Sequence, residues 1–232
     1  MNYFTADIHF ADQGTMEYDY RPFRTIEQYD NYVVKTWNKT AKKGDTIYVV
    51  GDLLDFDQYA KGDDIWKRGL ELTSKIKANV ILIIGNNEQR IIKHCFNEDF
   101  EAFKQFCYQY GIKEVHTSLD VKIGETTCHL VHQLIHANKR KINLYGHTHL
   151  ATGLYSPFGL CISTDLNHFR LYTENQILAY LERKRRFWDV DSNCNYINPH
   201  FKEIDGKMVN TLQEDSKYIK NLKKEQFKTK IK

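Results

Sequence analysis

Three short runs of branched and aromatic residues constrain the fold of this chain most strongly. NYFTA (2–6), TIYVV (46–50) and VILII (80–84) each have the length of a strand, and longer segments with helical spacing separate them. A parallel neighbour is reached only through a crossover connection, which is usually a helix. Strands that alternate with helices therefore predict parallel pairing and an α/β fold.

Helices are predicted between and after these runs. The segment 26–43 has apolar residues near helical spacing and a lysine-rich end before Gly44, the residue type that most often stops a helix. The segments 64–77 and 98–110 have similar patterns. Together with the three strands they complete the alternating first half of the chain.

The pattern changes to consecutive strands from residue 119 onward. LDVKIGETTCHLVHQ predicts a hairpin that turns at Gly124 and Glu125. Further strands are predicted at 142–146, 152–156 and 159–164, and a helix with a basic end at 174–187. Past about residue 188 the apolar periodicity weakens, so we expect a main domain over 1–187 and an appendage over 188–232.

The appendage ends in the basic stretch SKYIKNLKKEQFKTKIK, which carries seven lysines and one glutamate. Lysines of this kind could contact nucleic-acid phosphates. A solvated amphipathic helix is the favoured alternative, because charge runs are usually solvated.

Composition indicates a soluble globular protein, with 41% hydrophobic and 27% charged residues. The net charge of +3 is too small to argue for nucleic-acid binding. The five cysteines are scattered without a CxxC pair, which favours reduced thiols and a cytoplasmic location. The chain has no signal-peptide pattern at its start, and no apolar run approaches the roughly 20 residues of a membrane span.

Polar side chains follow the predicted strands, at the point where each strand ends. Asp7 and His9 are two apart, and in an extended segment they would point to the same side and hold one cation. The other strand ends carry Asp52 with Asp55, Asn86 with Asn87 and Glu88, His132, and His147 with His149. The carboxyl ends of strands are where α/β sheets bind ligands. These residues offer oxygen and imidazole nitrogen, and no sulfur.

Each piece alone has a plain structural interpretation. An Asp-Ile-His or Gly-Asp sequence is often a turn, and a His-Thr-His sequence is more often a pair of surface histidines than a metal site. The ordered series, with every member at the end of a predicted strand, favours a metal centre.

The series DxH…GDxxD…GN…H…GHxH resembles that of the calcineurin-like metallophosphoesterases. YFTADIHF, RPF (21–23), WNK (37–39) and DTIYVVGD extend the resemblance to the small bacterial and phage enzymes of that group, over about residues 2–187. The resemblance implies two mixed β-sheets packed as a sandwich flanked by helices. It also implies the cytoplasm of a bacterium or of a phage-infected host.

The resemblance further implies two divalent metal ions and their ligands. Asp7, His9 and His149 would hold the first ion, Asn86, His132 and His147 the second, and Asp52 both. Two ions about 3.5–4 Å apart need a bridging carboxylate and clamp a phosphate for in-line attack. Manganese is the metal that we expect, with iron or zinc as alternatives for a set of oxygen and nitrogen ligands. Asp55 is expected to orient a histidine ligand or, alternatively, to cap a helix or turn.

Two positions depart from the family pattern. Asn87 stands where the family has a histidine, and an amide can donate a hydrogen bond but cannot deliver a proton near neutral pH. We therefore expect a preference for good leaving groups, and we expect Glu88 to be able to orient an imidazole introduced at position 87. Asp12 replaces a second histidine after the first motif.

A short polar segment that follows His132 contains three side chains that could meet the substrate, although an exposed loop is the favoured interpretation. They are His136, Asn138 and Lys139.

These features predict a two-metal phosphohydrolase that cleaves a phosphodiester, a pyrophosphate or a phosphomonoester, with nucleotides or cyclic nucleotides favoured. A metal-dependent nuclease that uses the basic tail is the alternative. A non-catalytic binding module ranks last, because all seven ligands are present.

Overall fold

The structure is a computed structural model that describes residues 1–56, 65–189, 201–204 and 207–210, with side chains described up to residue 184. Contacts divide the chain into two compact units, Met1–Arg183 and Lys184–Lys232. The domain boundary predicted at residue 187 stays a prediction. The lysine-rich stretch on which the nuclease alternative depends lies outside the described residues.

Twelve strands and six α-helices are described. The strands are β1 (Asn2–Thr5), β2 (Thr46–Val50), β3 (Asn79–Ile83), β4 (Ile112–His116), β5 (Leu119–Ile123), β6 (Thr126–Leu130), β7 (Ile142–Tyr145), β8 (Tyr155–Ser156), β9 (Gly159–Cys161), β10 (Tyr172–Thr173), β11 (Phe201–Ile204) and β12 (Lys207–Asn210). The helices are α1 (Gln13–Tyr18), α2 (Ile26–Thr40), α3 (Ile65–Thr73), α4 (Asn86–Cys95), α5 (Phe100–Gln109) and α6 (Glu174–Asp189). Short 3-10 turns lie at Leu134–His136 and Thr164–Asn167.

The first sheet has the strand order β10-β1-β2-β3-β4. Strands β1 to β4 are parallel to their neighbours, and β10 lies antiparallel on β1. Because the four parallel strands share one direction, their carboxyl ends meet at one edge of the sheet. The predicted parallel α/β arrangement of the first half is confirmed.

The second sheet has the order β5-β6-β7-β9-β8. The predicted hairpin is present as the antiparallel pair β5 and β6, while β6, β7 and β9 are parallel. The strands predicted at 152–156 and 159–164 are shorter than expected and cover only β8 and β9. The two mixed sheets confirm the predicted fold class. Strands β11 and β12 form a separate antiparallel pair.

Alternation along the strands of the first sheet divides the interior into two cores. Val80 and Leu82 of β3 pack beneath α2 to α5, with Trp37 among the buried side chains there. Ile81 and Ile83 point to the opposite face, into a core that also contains buried side chains of the second sheet. Each fully buried aliphatic side chain contributes roughly 1.5–3 kcal/mol of transfer free energy. The second core makes the two sheets a sandwich.

Helices α1 and α4 were not predicted. The first turn of α4 is Asn86, Asn87 and Glu88, which have weak helix propensity apart from the glutamate. The helix begins because the Glu88 carboxylate accepts a hydrogen bond from the backbone N–H of Gly85 at 2.7 Å, which is half of a capping box. The polar run after β3 is therefore a helix N-terminus that lies at the edge of the sheet.

Candidate metal centre

The structure brings the seven predicted ligands to one edge of the molecule. Asp7 and His9 follow β1, Asp52 follows β2, and Asn86 begins the helix after β3. The second sheet supplies the remaining three, with His132 after β6 and His147 and His149 after β7.

Three of these residues, Asp7, His9 and His149, form what we call the first donor group, in which one potential ligand atom of each lies within 4.8 Å of the others. Asp7 Oδ1 accepts a hydrogen bond from the backbone N–H of His147 at 2.7 Å. Asp7 Oδ2 and His9 Nε2 are buried and have no hydrogen-bond partner within the described part of the chain. Buried polar atoms are rarely left without a partner, so these two atoms fit a bound cation.

Asp52, His132 and His147 form the second donor group, by the same criterion of 4.8 Å. His132 Nδ1 lies 2.9 Å from the carbonyl oxygen of Val50, to which it donates. That bond leaves His132 Nε2 as an acceptor, 3.1 Å from Asn86 Oδ1. Two acceptors at this distance need a cation or a proton between them, so Asn86 belongs with this group.

The Asp52 carboxylate lies between the two donor groups. Its Oδ2 is 3.8 Å from His9 Nε2 and 3.3 Å from His132 Nε2. Burial raises the pKa of Asp52, but the neighbouring His132 and His9 lower it further, so the carboxyl is ionised. Burial by itself lowers the pKa of His132. The negative charges of Asp52 and then Asp7 outweigh burial and raise this pKa to about 9. The same negative charge favours a metal cation.

Five of the seven residues have left-handed backbone conformations, which non-glycine residues rarely adopt. Their φ angles are 60° at Asp7, 52° at His9, 49° at Asp52, 71° at His147 and 45° at His149. The expectation that Asp7 and His9 lie in an extended segment is wrong. Their side chains reach one position because both residues leave the strand conformation. Such strain costs about 1–3 kcal/mol per residue and concentrates at functional sites.

Two glycines of the motifs are required by close approach of a ligand from another loop. A Cβ on Gly51, whose φ is +82°, would lie 2.2 Å from Nδ1 of His132. A Cβ on Gly85 would lie 2.2 Å from Oδ1 of Asp52. Glycine is therefore required in the Gly51-Asp52 and Gly85-Asn86 pairs. The side chains of His132 and Asp52 pack directly on the Cα atoms of Gly51 and Gly85.

Asp55 contacts a histidine of the first donor group. Its Oδ2 lies 2.9 Å from His9 Nδ1, which makes the opposite ring nitrogen of His9 the metal-facing one. Burial raises the pKa of Asp55, but the hydrogen bond to His9 leads the effects that lower it. Asp12 instead caps α1, and its two carboxylate oxygens accept from the backbone N–H groups of Gly14 and Thr15 at 2.9 and 2.8 Å.

Asp19 and Asp165 are site residues that the sequence reasoning missed. His149 Nδ1 lies 2.9 Å from Asp165 Oδ2 and 2.8 Å from Asp19 Oδ2. Burial lowers the pKa of His149, but Asp165 and then Asp19 outweigh it and raise the pKa to about 10. Asp165 directly follows the segment predicted as a strand at 159–164, so the signal that identified the other residues was present there too.

Arg21 is buried and braces the loop that carries Asp7. Its Nε and Nη2 donate to the two carboxylate oxygens of Asp165 at 2.9 and 3.0 Å. Nη2 also donates to the carbonyl of Asp7, and Nη1 donates to the carbonyl of Ile8 and to the hydroxyl of Tyr29, each at 2.8 Å. One guanidinium therefore connects the strained first loop to the carboxylate that holds His149.

Glu88 has a different role from the one expected. Its buried carboxylate accepts from the backbone N–H groups of Asp52 at 3.0 Å, Leu54 at 2.9 Å and Gly85 at 2.7 Å. Burial, followed by the charge of Asp52, raises the pKa of Glu88 to about 7. The expectation that Glu88 could orient an imidazole at position 87 is wrong, because both oxygens already hold backbone amides.

Asn87 is buried beside the donor groups. Its backbone N–H donates to Asp52 Oδ1 at 3.0 Å, and its side-chain Nδ2 lies 3.3 Å from Asp52 Oδ2. The amide oxygen accepts from Nη1 of Arg90 at 3.2 Å, and the Arg90 side chain is exposed. Arg90 therefore places a guanidinium group next to the site. The sequence motifs did not reveal this residue.

The family model of the calcineurin-like phosphoesterases matches residues 3–147. This match covers more than half of the chain and all of the predicted ligands except His149, and the chain belongs to that family. The members of this family are described as phosphoesterases.

Individual relatives are distant. The "Uncharacterized protein MJ1445" of Methanocaldococcus jannaschii is 26% identical over 108 residues, which are 47% of this chain and 54% of that protein. The match therefore spans about half the length of the relative.

Among solved structures, the Aquifex aeolicus protein AQ665, described as of unknown function, has a TM-score of 0.52 at 15% identity. It covers 78% of this chain and 98% of its own. That likeness supports the fold alone. The E. coli phosphoesterase Yfce has a TM-score of 0.36 at 12% identity, over 70% of this chain and 77% of its own.

Within the described residues, no helix is long and apolar enough to cross a membrane.

Proposed function

We propose that this protein is a two-metal-dependent phosphohydrolase. The proposed ligands are Asp7, His9 and His149 for one divalent ion, Asn86, His132 and His147 for the other, and Asp52 for both. The observation that carries this proposal is that two buried donor atoms, Asp7 Oδ2 and His9 Nε2, have no hydrogen-bond partner among the described residues. A cation satisfies both atoms, whereas an apolar filling would leave them desolvated.

Bound divalent cations supply Lewis-acid polarisation of the phosphoryl oxygens and an activated water. The chain's own residues orient the donors. The Val50 carbonyl and the Asp55 carboxylate each hold the Nδ1 of a histidine, so that Nε2 of His132 and of His9 is presented as a lone-pair donor. Manganese is the proposed metal, with iron or zinc as alternatives, and the oxygen and nitrogen donors support all three.

The proposed substrates are phosphate esters with good leaving groups, such as nucleotides or cyclic nucleotides. Asn87 supports this preference, because its amide donates hydrogen bonds but supplies no proton to a departing alkoxide. The neighbouring Arg90 guanidinium, which donates to the Asn87 amide oxygen at 3.2 Å, can pair with a phosphate oxygen.

The proposal is tested by hydrolysis of bis-p-nitrophenyl phosphate with added Mn²⁺, before and after removal of metal with a chelator. We expect Asp52→Asn and His147→Ala to abolish turnover while circular dichroism and thermal unfolding show a folded protein. Asp120→Asn is a matched control, because Asp120 lies on β5 and pairs there with Lys141 and His129. Turnover that survives the chelator, or near-normal rates of either ligand variant at saturating Mn²⁺, would show that the proposal is wrong.

A further inference from the structure

A cavity of about 290 Å³ lies beside the second donor group. His132 lines it, and the Nε2 atom of the same ring faces Asn86 and Asp52. Gln133 also lines the cavity, and its Nε2 lies 3.3 Å from Nε2 of His147. A phosphate held at the donor groups would therefore direct one of its ester substituents into this cavity.

The floor and the rim of the cavity differ in chemistry. The floor is formed by Ile84 and Val131, which are only 7% and 3% exposed. The rim carries side chains that both donate and accept hydrogen bonds, namely Gln89, Thr117, Ser118, Gln133 and His136. No aspartate, glutamate, lysine or arginine is among the described residues that line it.

This arrangement matches a flat heterocycle. Such a ring has apolar faces and carries its donors and acceptors in the ring plane, whereas a sugar ring carries hydroxyls around its whole circumference. A rim without carboxylate, ammonium or guanidinium groups offers a charged substituent none of those partners and suits an uncharged one. The volume lies just below the roughly 300–1,000 Å³ typical of ligand pockets, which suits one ring system and not a polymer.

We propose that this cavity is a specificity site for a neutral, nucleobase-like heterocycle that is attached to the phosphate undergoing hydrolysis. The inference rests on the proposed phosphohydrolase function and adds the place where the substrate's ring is bound and the residues that select it. Ile84 and Val131 contact one ring face, and the amide of Gln89 with the hydroxyls of Thr117 and Ser118 bonds the ring edge.

The test compares three p-nitrophenyl esters that share one leaving group: the esters of thymidine 5′-phosphate, of a hexose phosphate and of methyl phosphate. We expect kcat/KM for the thymidine ester to exceed that for the methyl ester by about tenfold or more, since two or three added hydrogen bonds at about 0.5–1.5 kcal/mol each reach that ratio. Ser118→Trp fills the cavity from its exposed rim and should bring this ratio close to one. Gln89→Ala should lower it about threefold to tenfold.

Glu71→Gln is the control variant, because Glu71 is exposed on α3 and lines a different, charged cavity. It should leave the ratio at the wild-type value. A binding measurement with thymidine 5′-monophosphate accompanies the kinetics, and Ser118→Trp should weaken that binding while binding of inorganic phosphate stays the same.

The outcomes separate the two proposals. Hydrolysis of all three esters at equal kcat/KM, or a ratio that Ser118→Trp leaves unchanged, overturns the cavity assignment and leaves the phosphohydrolase in place. A higher kcat/KM for the hexose ester overturns the heterocycle in favour of a sugar. If no ester is hydrolysed with added Mn²⁺, the proposed function fails, and nucleotide binding that Ser118→Trp leaves unchanged would overturn the cavity assignment as well.

Discussion

Replacing Arg21 with methionine tests whether the site depends on the brace behind it. Methionine fills much of the same volume but makes none of the five hydrogen bonds that Arg21 donates within 3.0 Å. The variant removes the arginine partner of the Asp165 carboxylate, whose side chain is only 3% exposed in the wild-type structure. Removal of one partner of a buried ion pair typically costs about 3–5 kcal/mol.

We place Arg21→Met near the lower end of that range, about 3 kcal/mol, because His149 still contacts Asp165. A second effect follows from the carbonyl of Asp7, which loses the hydrogen bond from Arg21, whereas the carbonyl of Ile8 keeps the Tyr29 hydroxyl at 2.6 Å. The loop that carries the first donor group then relaxes from its left-handed conformation. Loss of an orienting contact of this kind typically costs about 10–100-fold in metal affinity.

The assay is urea unfolding of the metal-free protein, followed by Mn²⁺ titration in a calorimeter. Arg24→Met is the matched control, because Arg24 is an exposed arginine three positions along the same segment, and it should change neither quantity. Arg21→Lys keeps the charge without the planar fork and should give intermediate values. An unfolding free energy within about 1 kcal/mol of wild type, or an unchanged Mn²⁺ affinity, would refute the role of Arg21 as a brace.

Three further predictions concern single side chains. Asp55→Asn should weaken Mn²⁺ binding about 10–100-fold, because Asp55 orients the His9 ring, and should change the unfolding free energy little. Calorimetric titration with Mn²⁺ at pH 7 measures this, and an unchanged affinity would contradict the orienting role of Asp55. Asn87→His should raise kcat/KM for alkyl esters by up to about 10²–10⁴-fold and for nitrophenyl esters far less. The measurement plots log kcat/KM against the pKa of the leaving group for the wild type and the variant. Equal slopes of the two plots would show that Asn87 does not stand in place of a missing acid. Burial raises the pKa of Asp30 to about 6, so the folded state binds this proton more tightly than the unfolded state. The contribution to stability is therefore present below the ordinary pKa near 3.8 and is lost as pH rises to 6. Asp30→Asn keeps an acceptor for the N–H of Ala11 and should gain up to about 3 kcal/mol over wild type between pH 4 and pH 7 in urea unfolding, whereas a constant difference would show that Asp30 is not perturbed.

The positions of the donor residues could be predicted from the sequence because they depend on local rules. Short apolar runs identify the strands, and the polar residues that follow them are carried to one edge of the sheet by parallel pairing. The same rule applies to Asp165, which directly follows the predicted strand at 159–164.

Other features depend on contacts between distant segments and have no local signal. Arg21 and Asp165 are 144 positions apart, and only the folded chain brings them together. The sequence predicts the position of Glu88 at the edge of the sheet but not its hydrogen-bond partners. These partners are backbone N–H groups, which almost every residue has, so no sequence pattern marks them. The left-handed conformations of Asp7 and His9 also escape a sequence pattern, since the surrounding structure imposes them.

Metal stoichiometry at saturating Mn²⁺ tests the central claim most directly. Equilibrium dialysis followed by elemental analysis should find two Mn²⁺ ions per chain in the wild-type protein. Anomalous scattering from crystals grown with Mn²⁺ should place one ion among Asp7, His9 and His149 and the other among Asn86, His132 and His147. One ion or none per chain, or anomalous peaks away from Asp52, would contradict the proposed two-metal centre.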